Sequence, residues 1–419
     1  MINKKAVGRV TLDKFFVYLL CVLLLLNQSI FFLAKQESYL EIIIIFVVML
    51  LSLLSIFANR QRNNLKIVLN FSVIFVFQIA LFFISTYVYT ATRKSFLLIF
   101  LCIPFLYLYF SANSLEKNTV SYLLSTLSKL ITILATFSIF MWLTCSVLKL
   151  LSPSSYTLLN WGVPHYIPSF YNLYFETQKV NLGSLEFMRN TFIYPEGPVY
   201  SFVLSFALIF SVFIKEKKLS SFTPLVLMMS ILTTGSSTGF IVIAGVIFLK
   251  KVIDVKDKKL SMVILFIAVL ILCVVAIMVI FQKQEDNGNS LNVRLEDISI
   301  GFNIWFQHFL TGVGYGNYSE ILSHMNLRRL SFNGNTGFSS GLALIAAYGG
   351  VPLLMNYLLP IFNGVKVGMK RGIKYLIFSL LILFLLVTTI VQVNYIILTS
   401  LVYLLTINDK KETFKCKNI

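Results

Sequence analysis

The chain has 419 residues, of which 58% are hydrophobic and only 12% charged, with a net charge of +18. A soluble chain is roughly a quarter charged, so this composition excludes an ordinary soluble domain. It points to a polytopic α-helical membrane protein. The five cysteines form no Cys-x-x-Cys or Cys/His cluster, which argues against a disulfide framework or a zinc site.

The first segment, MINKKAVGR followed by FFVYLLCVLLLLNQSIFFLA, joins a basic stretch to an apolar one. The apolar part is too long for a signal peptide and lacks a small-residue cleavage site, which predicts a retained first span. Further apolar runs predict spans over 39–58, 66–90, 95–112, 121–150, 197–214, 222–235, 238–250, 260–281, 340–360, 375–390 and 393–407, after a first at 14–34. With about twelve crossings and both termini cytoplasmic, the inside segments hold 24 of the 35 Lys and Arg. That asymmetry is the positive-inside rule applied along the whole chain. The basic charge is therefore a topology signal facing membrane lipids, not a nucleic-acid surface.

Residues 222–250 admit two readings. A 14-residue helix covers only about 21 Å, short of a hydrocarbon core of about 30 Å. One long helix, however, would carry the lysines of KKVIDVKDKK to the outside. Two short crossings or a deep re-entrant pair, turning at TGSSTG (234–239), keep both basic flanks inside. Two outer segments, 151–196 and 282–339, are too long for plain connectors and rich in aromatics, Asn and Gly, which marks them as functional rather than disordered. The expectation is a single all-α transmembrane domain over 1–419 with two long extracytoplasmic loops.

The outer face carries five arginines: Arg93, Arg189, Arg294, Arg328 and Arg329. An arginine fixed beside a span is a candidate anion site, because its planar fork binds phosphate bidentately. The bland alternative is that it snorkels to the headgroups. Arg93, Arg328 and Arg329 read as headgroup contacts, whereas Arg189 and Arg294 sit in larger patterns. Glu196, between two prolines before the sixth span, is either an N-cap or a general base. TGVGYGNY (311–318) fails as a dinucleotide fingerprint and reads as a tight turn, with phosphate binding by its amides as the alternative. GSSTG either permits close helix packing or lines a polar site. His165, His308 and His324 lack metal spacing, and His308 is of interest for following Arg294 by 14 residues.

Four segments, in order, resemble the O-antigen and capsular-polysaccharide polymerases (Wzy-type) of the O-antigen polymerase/ligase superfamily. They are RNTFIYPEGPVYSFVLSFAL, LTTGSSTGFIVI, NVRLEDISIGFNIWFQHFLTGVGYGNY and GLALIAAYGGVPLL, covering about residues 185–360. The resemblance implies a GT-C-like fold in the bacterial inner membrane. The implied activity joins undecaprenyl-pyrophosphate-linked repeat units on the outer face, with no cofactor or metal and a chain-length regulator as a further partner. It implies Arg189, Arg294 and Glu196 as catalytic residues: the arginines on the pyrophosphate and Glu196 on the acceptor hydroxyl. Tyr194, Ser237, Trp305, His308, Gly314, Tyr315 and Asn317 are implied as substrate-binding. Many ligase-like members carry a His-Asn pair just before the closing helix, where this chain has Phe338 and Ser339. That departure weighs against the ligase; a transporter or flippase of lipid-linked sugars is the rival of a different class, with Lys129 inside a span as its best feature.

Overall fold

The computed structural model describes residues 4–33, 39–58, 64–90, 94–113, 122–160, 164–182, 185–215, 222–253, 293–332, 337–389 and 394–407. Helices α1 (Lys4–Leu26), α2 (Ile30–Leu33), α3 (Tyr39–Ala58), α4 (Asn64–Val88), α5 (Lys94–Asn113) and α6 (Tyr122–Met141) come first. A π-helical turn, Trp142–Val147, extends α6. After five strands follow α7 (Gly197–Phe213), α8 (Phe222–Thr233), α9 (Ser237–Ile253), α10 (293–307), α11 (Tyr318–Ser323) and α12 (Leu327–Phe332). The chain closes with α13 (Gly341–Arg371), α14 (Ile373–Thr388) and α15 (Tyr395–Thr406).

Among the described residues, five helical stretches are long and apolar enough to cross a membrane: Tyr39–Phe57, Leu65–Val88, Phe96–Asn113, Tyr122–Val147 and Gly341–Arg371. Shorter apolar helices α7, α8, α14 and α15 accompany them. The protein is thus a mostly helical, polytopic membrane protein. The expected span 260–281 lies outside the described residues. The first expected span is broken, because polar Asn27–Ser29 interrupt it and Ser29 Oγ donates to the Leu26 carbonyl at 2.8 Å. Residues 222–250 form two helices rather than one, separated by a turn at Gly235 (φ +61°).

Helix α7 is the hub. Nearly every one of its residues is buried, and α6, α8, α9 and α14 pack around it. A long run of apolar side chains without periodicity is what a helix buried on all sides requires. Its N-terminus therefore sits at the end of a helix enclosed on all sides.

The segment 151–196 departs from the all-α expectation. Strands β1 (Ser155–Asn160), β2 (Pro164–Phe170) and β3 (Tyr174–Phe175) form an antiparallel sheet, with Thr157 opposite Ile167. Strands β4 (Lys179–Leu182) and β5 (Leu185–Met188) form a separate hairpin. Leu159, Ile167 and Phe175 close a small core with Ile30 of α2. Aromatic and β-branched residues side by side (Tyr156 and Thr157, Tyr166 and Ile167) are the strand signal here; apolar run length alone does not reveal it.

Helix α13 is kinked at Gly350, whose φ of +59° only a glycine adopts without strain. Val351 N turns away to the Phe309 carbonyl at 2.9 Å, and Pro352 has no N–H for the Tyr348 carbonyl. The freed Ala347 and Tyr348 carbonyls accept instead from Val313 N (2.9 Å) and Gly314 N (3.0 Å). The glycine turn is thereby stitched to the kink.

Candidate active site

Arg189 is held by its neighbours on both sides. Its backbone N–H extends the hairpin ladder to the Gln178 carbonyl at 2.9 Å. Before it, the Met188 carbonyl accepts from Trp142 Nε1 at 2.8 Å; π turns of this kind inside a helix recur at functional sites. After it, Asn190 N donates to the Thr233 carbonyl (3.0 Å), and Asn190 Nδ2 reaches Thr233 Oγ1 (3.0 Å) and Ser138 Oγ (3.3 Å). Thr191 Oγ1 donates to the Phe175 carbonyl at 2.9 Å. Asn190 and Thr191 are fully buried, so the backbone that presents the guanidinium is fixed by α6, α8 and the sheet together.

The guanidinium itself is under-used. Its NH1 donates to Gln178 Oε1 at 3.3 Å, a long contact, and the same oxygen takes the Gly197 N–H at 3.4 Å. Arg189 Nε is buried and has no hydrogen-bond partner among the described residues. A buried donor left unpaired costs about 1–3 kcal/mol, so its persistence calls for an explanation. A Cβ on Gly197 would lie 2.8 Å from the Thr234 carbonyl oxygen and 3.1 Å from Arg189 Cδ. Only glycine lets the α7 N-terminus, the α8–α9 turn and Arg189 meet this closely.

Glu196 is the N-cap of α7 in an extended conformation, yet its side chain makes no capping hydrogen bond. The cap reading of the sequence is therefore not realised by the carboxylate, which remains uncommitted. Burial pushes the Glu196 carboxyl above the usual range, and the Arg189 charge draws it partway back. Burial likewise lowers Arg189; the Glu196 charge raises it and the Arg294 charge lowers it further. Arg294, half-buried on α10, is lowered by burial and raised by Asp297. All three groups thus feel one field, and both guanidinium groups stay protonated at neutral pH. Among the described residues no ion pair involves Arg189, Glu196 or Arg294. Asp297 is paired with Arg329 at 2.7 Å, so the group as a whole keeps an excess positive charge.

The other sequence candidates divide. Ser237 opens α9 directly after the turn that touches Arg189 and is half-buried. Trp305 is half-buried, stacked on Phe309 at 5.1 Å, with Nε1 lacking a partner. His308 is exposed. At 1.5 Å per residue of helix, they stand about 16 and 21 Å along α10 from Arg294, so neither shares its immediate surroundings. Tyr194, expected to stack on sugar, is 2% exposed. Its ring stacks on Tyr200 and its hydroxyl donates to the Leu25 carbonyl at 2.9 Å. Tyr315, 5% exposed, stacks on Phe96 at 3.9 Å. Both are packing residues here, because the kink and the plug-like 191–195 segment draw them inward. Gly314 is buried against Tyr89. Asn317 Nδ2 donates to the Val313 carbonyl at 3.0 Å and its Oδ1 accepts from Ser319. The amides of 312–315 are all committed within the protein, so the turn offers no anion cradle there.

Sequence reading missed Gln178, which lies on no motif. It also read Arg329 as a headgroup contact, whereas Arg329 is 5% exposed and ion-paired. The signal available for that pair was the acidic dipeptide Glu296-Asp297, within one turn of Arg294.

Residues 222–358 match the family model described as O-antigen ligase. The match spans about a third of the chain, from α8 into α13, and includes Arg294 but neither Arg189 nor Glu196. No curated protein matches the sequence. The match supports the O-antigen polymerase/ligase superfamily and a part in polysaccharide assembly on lipid-linked sugars; it does not separate polymerase from ligase.

Proposed function

We propose that this protein is a polymerase that joins undecaprenyl-pyrophosphate-linked oligosaccharide repeat units into O-antigen, capsular or exopolysaccharide chains. The reaction takes place on the outer face of the bacterial cytoplasmic membrane, with both termini inside. The observation that carries the reading is the buried, unpartnered Arg189 Nε, beside an uncommitted Glu196 and within the field of Arg294. Two arginines without an ion pair among the described residues, one of them beside the N-terminus of α7 and the other within reach of its charge, favour a doubly charged oxyanion.

In the reaction, a hydroxyl oxygen of the acceptor sugar forms a bond to the donor's anomeric carbon. The bond from that carbon to the pyrophosphate oxygen breaks, and the electron pair leaves with undecaprenyl pyrophosphate. Arg189 and Arg294 stabilise the charge developing on the leaving oxygens, where preorganised donors act most strongly. Glu196 takes the hydroxyl proton, and its raised affinity for protons suits that role. Ser237, Trp305 and His308 would contact the glycans.

A ligase is the second reading, favoured by the description of the matching family model. Phe338 is 2% exposed, and Ser339 bonds Asp297, so the position of the ligase-like His-Asn pair has a structural use here. The deciding experiment supplies purified protein with undecaprenyl-pyrophosphate-linked repeat units in excess chelator. A ladder of multiples of the repeat unit is expected. Transfer of single units to a lipid A core acceptor without a ladder would establish the ligase, and no transfer at all would return the transporter.

A further inference from the structure

Arg294 and Asp297 stand three residues apart in Val-Arg-Leu-Glu-Asp, a spacing that puts both on one face of α10. A carboxylate so placed would ordinarily pair with its helix neighbour. Here it does not. Asp297 is fully buried and both its oxygens are engaged elsewhere. Oδ1 accepts from Arg329 NH1 at 2.7 Å; Oδ2 accepts from Ser339 N at 2.7 Å and Ser339 Oγ at 2.6 Å. Arg329 NH2 donates to the Gly337 carbonyl, and NH1 lies 3.6 Å from Glu296 Oε2. Glu296 Oε1 in turn accepts from Asn326 N at 3.0 Å. The two acids of α10 thus bind α12 and the lead-in to α13, while Arg294 has no ion pair among the described residues.

We propose that Arg329 is a positioning residue: by occupying Asp297 it keeps that carboxylate off Arg294, leaving the Arg294 fork free for phosphate oxygens. This rests on the pyrophosphate reading given above. The electrostatic reason is the low dielectric around the pair. A buried carboxylate deprived of its partner is strongly unfavourable, and it draws in the nearest available cation. That cation is Arg294, one turn away and already within the field of Asp297. Loss of Arg329 would convert Arg294 from a ligand of the substrate into a counter-ion of the protein.

The test measures binding of inorganic pyrophosphate to the full-length protein in nanodiscs by calorimetry. An opposite charge at close range shifts a charged equilibrium by at least about tenfold. Arg329→Met should therefore weaken pyrophosphate binding about tenfold or more. Asp297→Asn should leave it unchanged or tighten it, because a negative charge disappears while both arginines remain. The double variant D297N/R329M should return to within about threefold of wild type. A pair that serves only to hold the helices together would give the same direction of change in both single variants, and that result overturns the proposal. If Arg329→Met does not accumulate folded, loosening in both Asp297→Asn and the double variant overturns it equally. Arg189→Ala is the control: no effect there would refute the pyrophosphate site itself, and this role of Arg329 with it.

Discussion

Removing the Arg189 side chain should separate function from folding sharply. Among the described residues the guanidinium makes one hydrogen bond, to Gln178 at 3.3 Å, and its Nε has no partner. A contact of that kind contributes about 0.5–1.5 kcal/mol, while relieving an unpaired buried donor returns about 1–3 kcal/mol. The two nearly offset, so Arg189→Ala should accumulate and melt close to wild type. Its effect on turnover should be large. Removing one preorganised donor to a developing oxyanion costs about 10²–10³ in rate, or about 2.7–4 kcal/mol. Arg189→Lys keeps the charge and loses the planar fork, so it should recover little of that loss. In cells lacking the native gene, both variants should leave surface glycan at a single repeat unit, with normal protein abundance. The reconstituted enzyme should show the loss in kcat/KM. Long polymer from Arg189→Ala at wild-type abundance would refute the phosphate role.

Further outcomes follow from other contacts. Glu196→Gln should abolish the acidic limb of the pH–rate profile, which in wild type rises through a carboxyl titrating above its usual range; an unchanged limb would remove Glu196 as base. Because the folded-state affinity for the proton is raised, Glu196 favours the fold at pH below its unfolded value, and that contribution is lost as pH rises through the folded value. Thermal stability of wild type relative to Glu196→Gln should therefore fall across that window. Gly350→Ala places a Cβ 2.6 Å from the Phe309 carbonyl oxygen at a φ of +59°. Backbone strain of about 1–2 kcal/mol adds to overpacking of about 1–3 kcal/mol. Gly316→Ala, at φ +80° with open space around it, should cost only the strain, and equal melting shifts for the two would contradict the stitched kink. Cysteine labelling should find residues 160, 237 and 320 outside and 218 and 255 inside; labelling of 218 and 255 from opposite sides would overturn the topology of α8 and α9.

The amino-acid sequence alone determined that the chain is a polytopic membrane protein, the order of most of its apolar helices, and that Arg189 and Glu196 lie directly ahead of the helix that opens at Gly197. Those features are local: apolar run length fixes a helix in lipid, and a proline or a charge fixes its end. Sequence also separated α8 from α9, because lysine asymmetry is a property of composition along the chain. The tertiary structure decided what each polar group was left to do. The Glu196 carboxylate makes no cap bond and Arg189 Nε has no partner, while Tyr194 and Tyr315 are turned inward to pack. The partnership of Asp297 with Arg329, 32 positions away, rather than with Arg294 three positions away, is likewise invisible to spacing. Burial and pairing are relations between segments brought together only by packing on α7 and by the kink at Gly350, and a charge is available for chemistry only where those relations leave it unmatched.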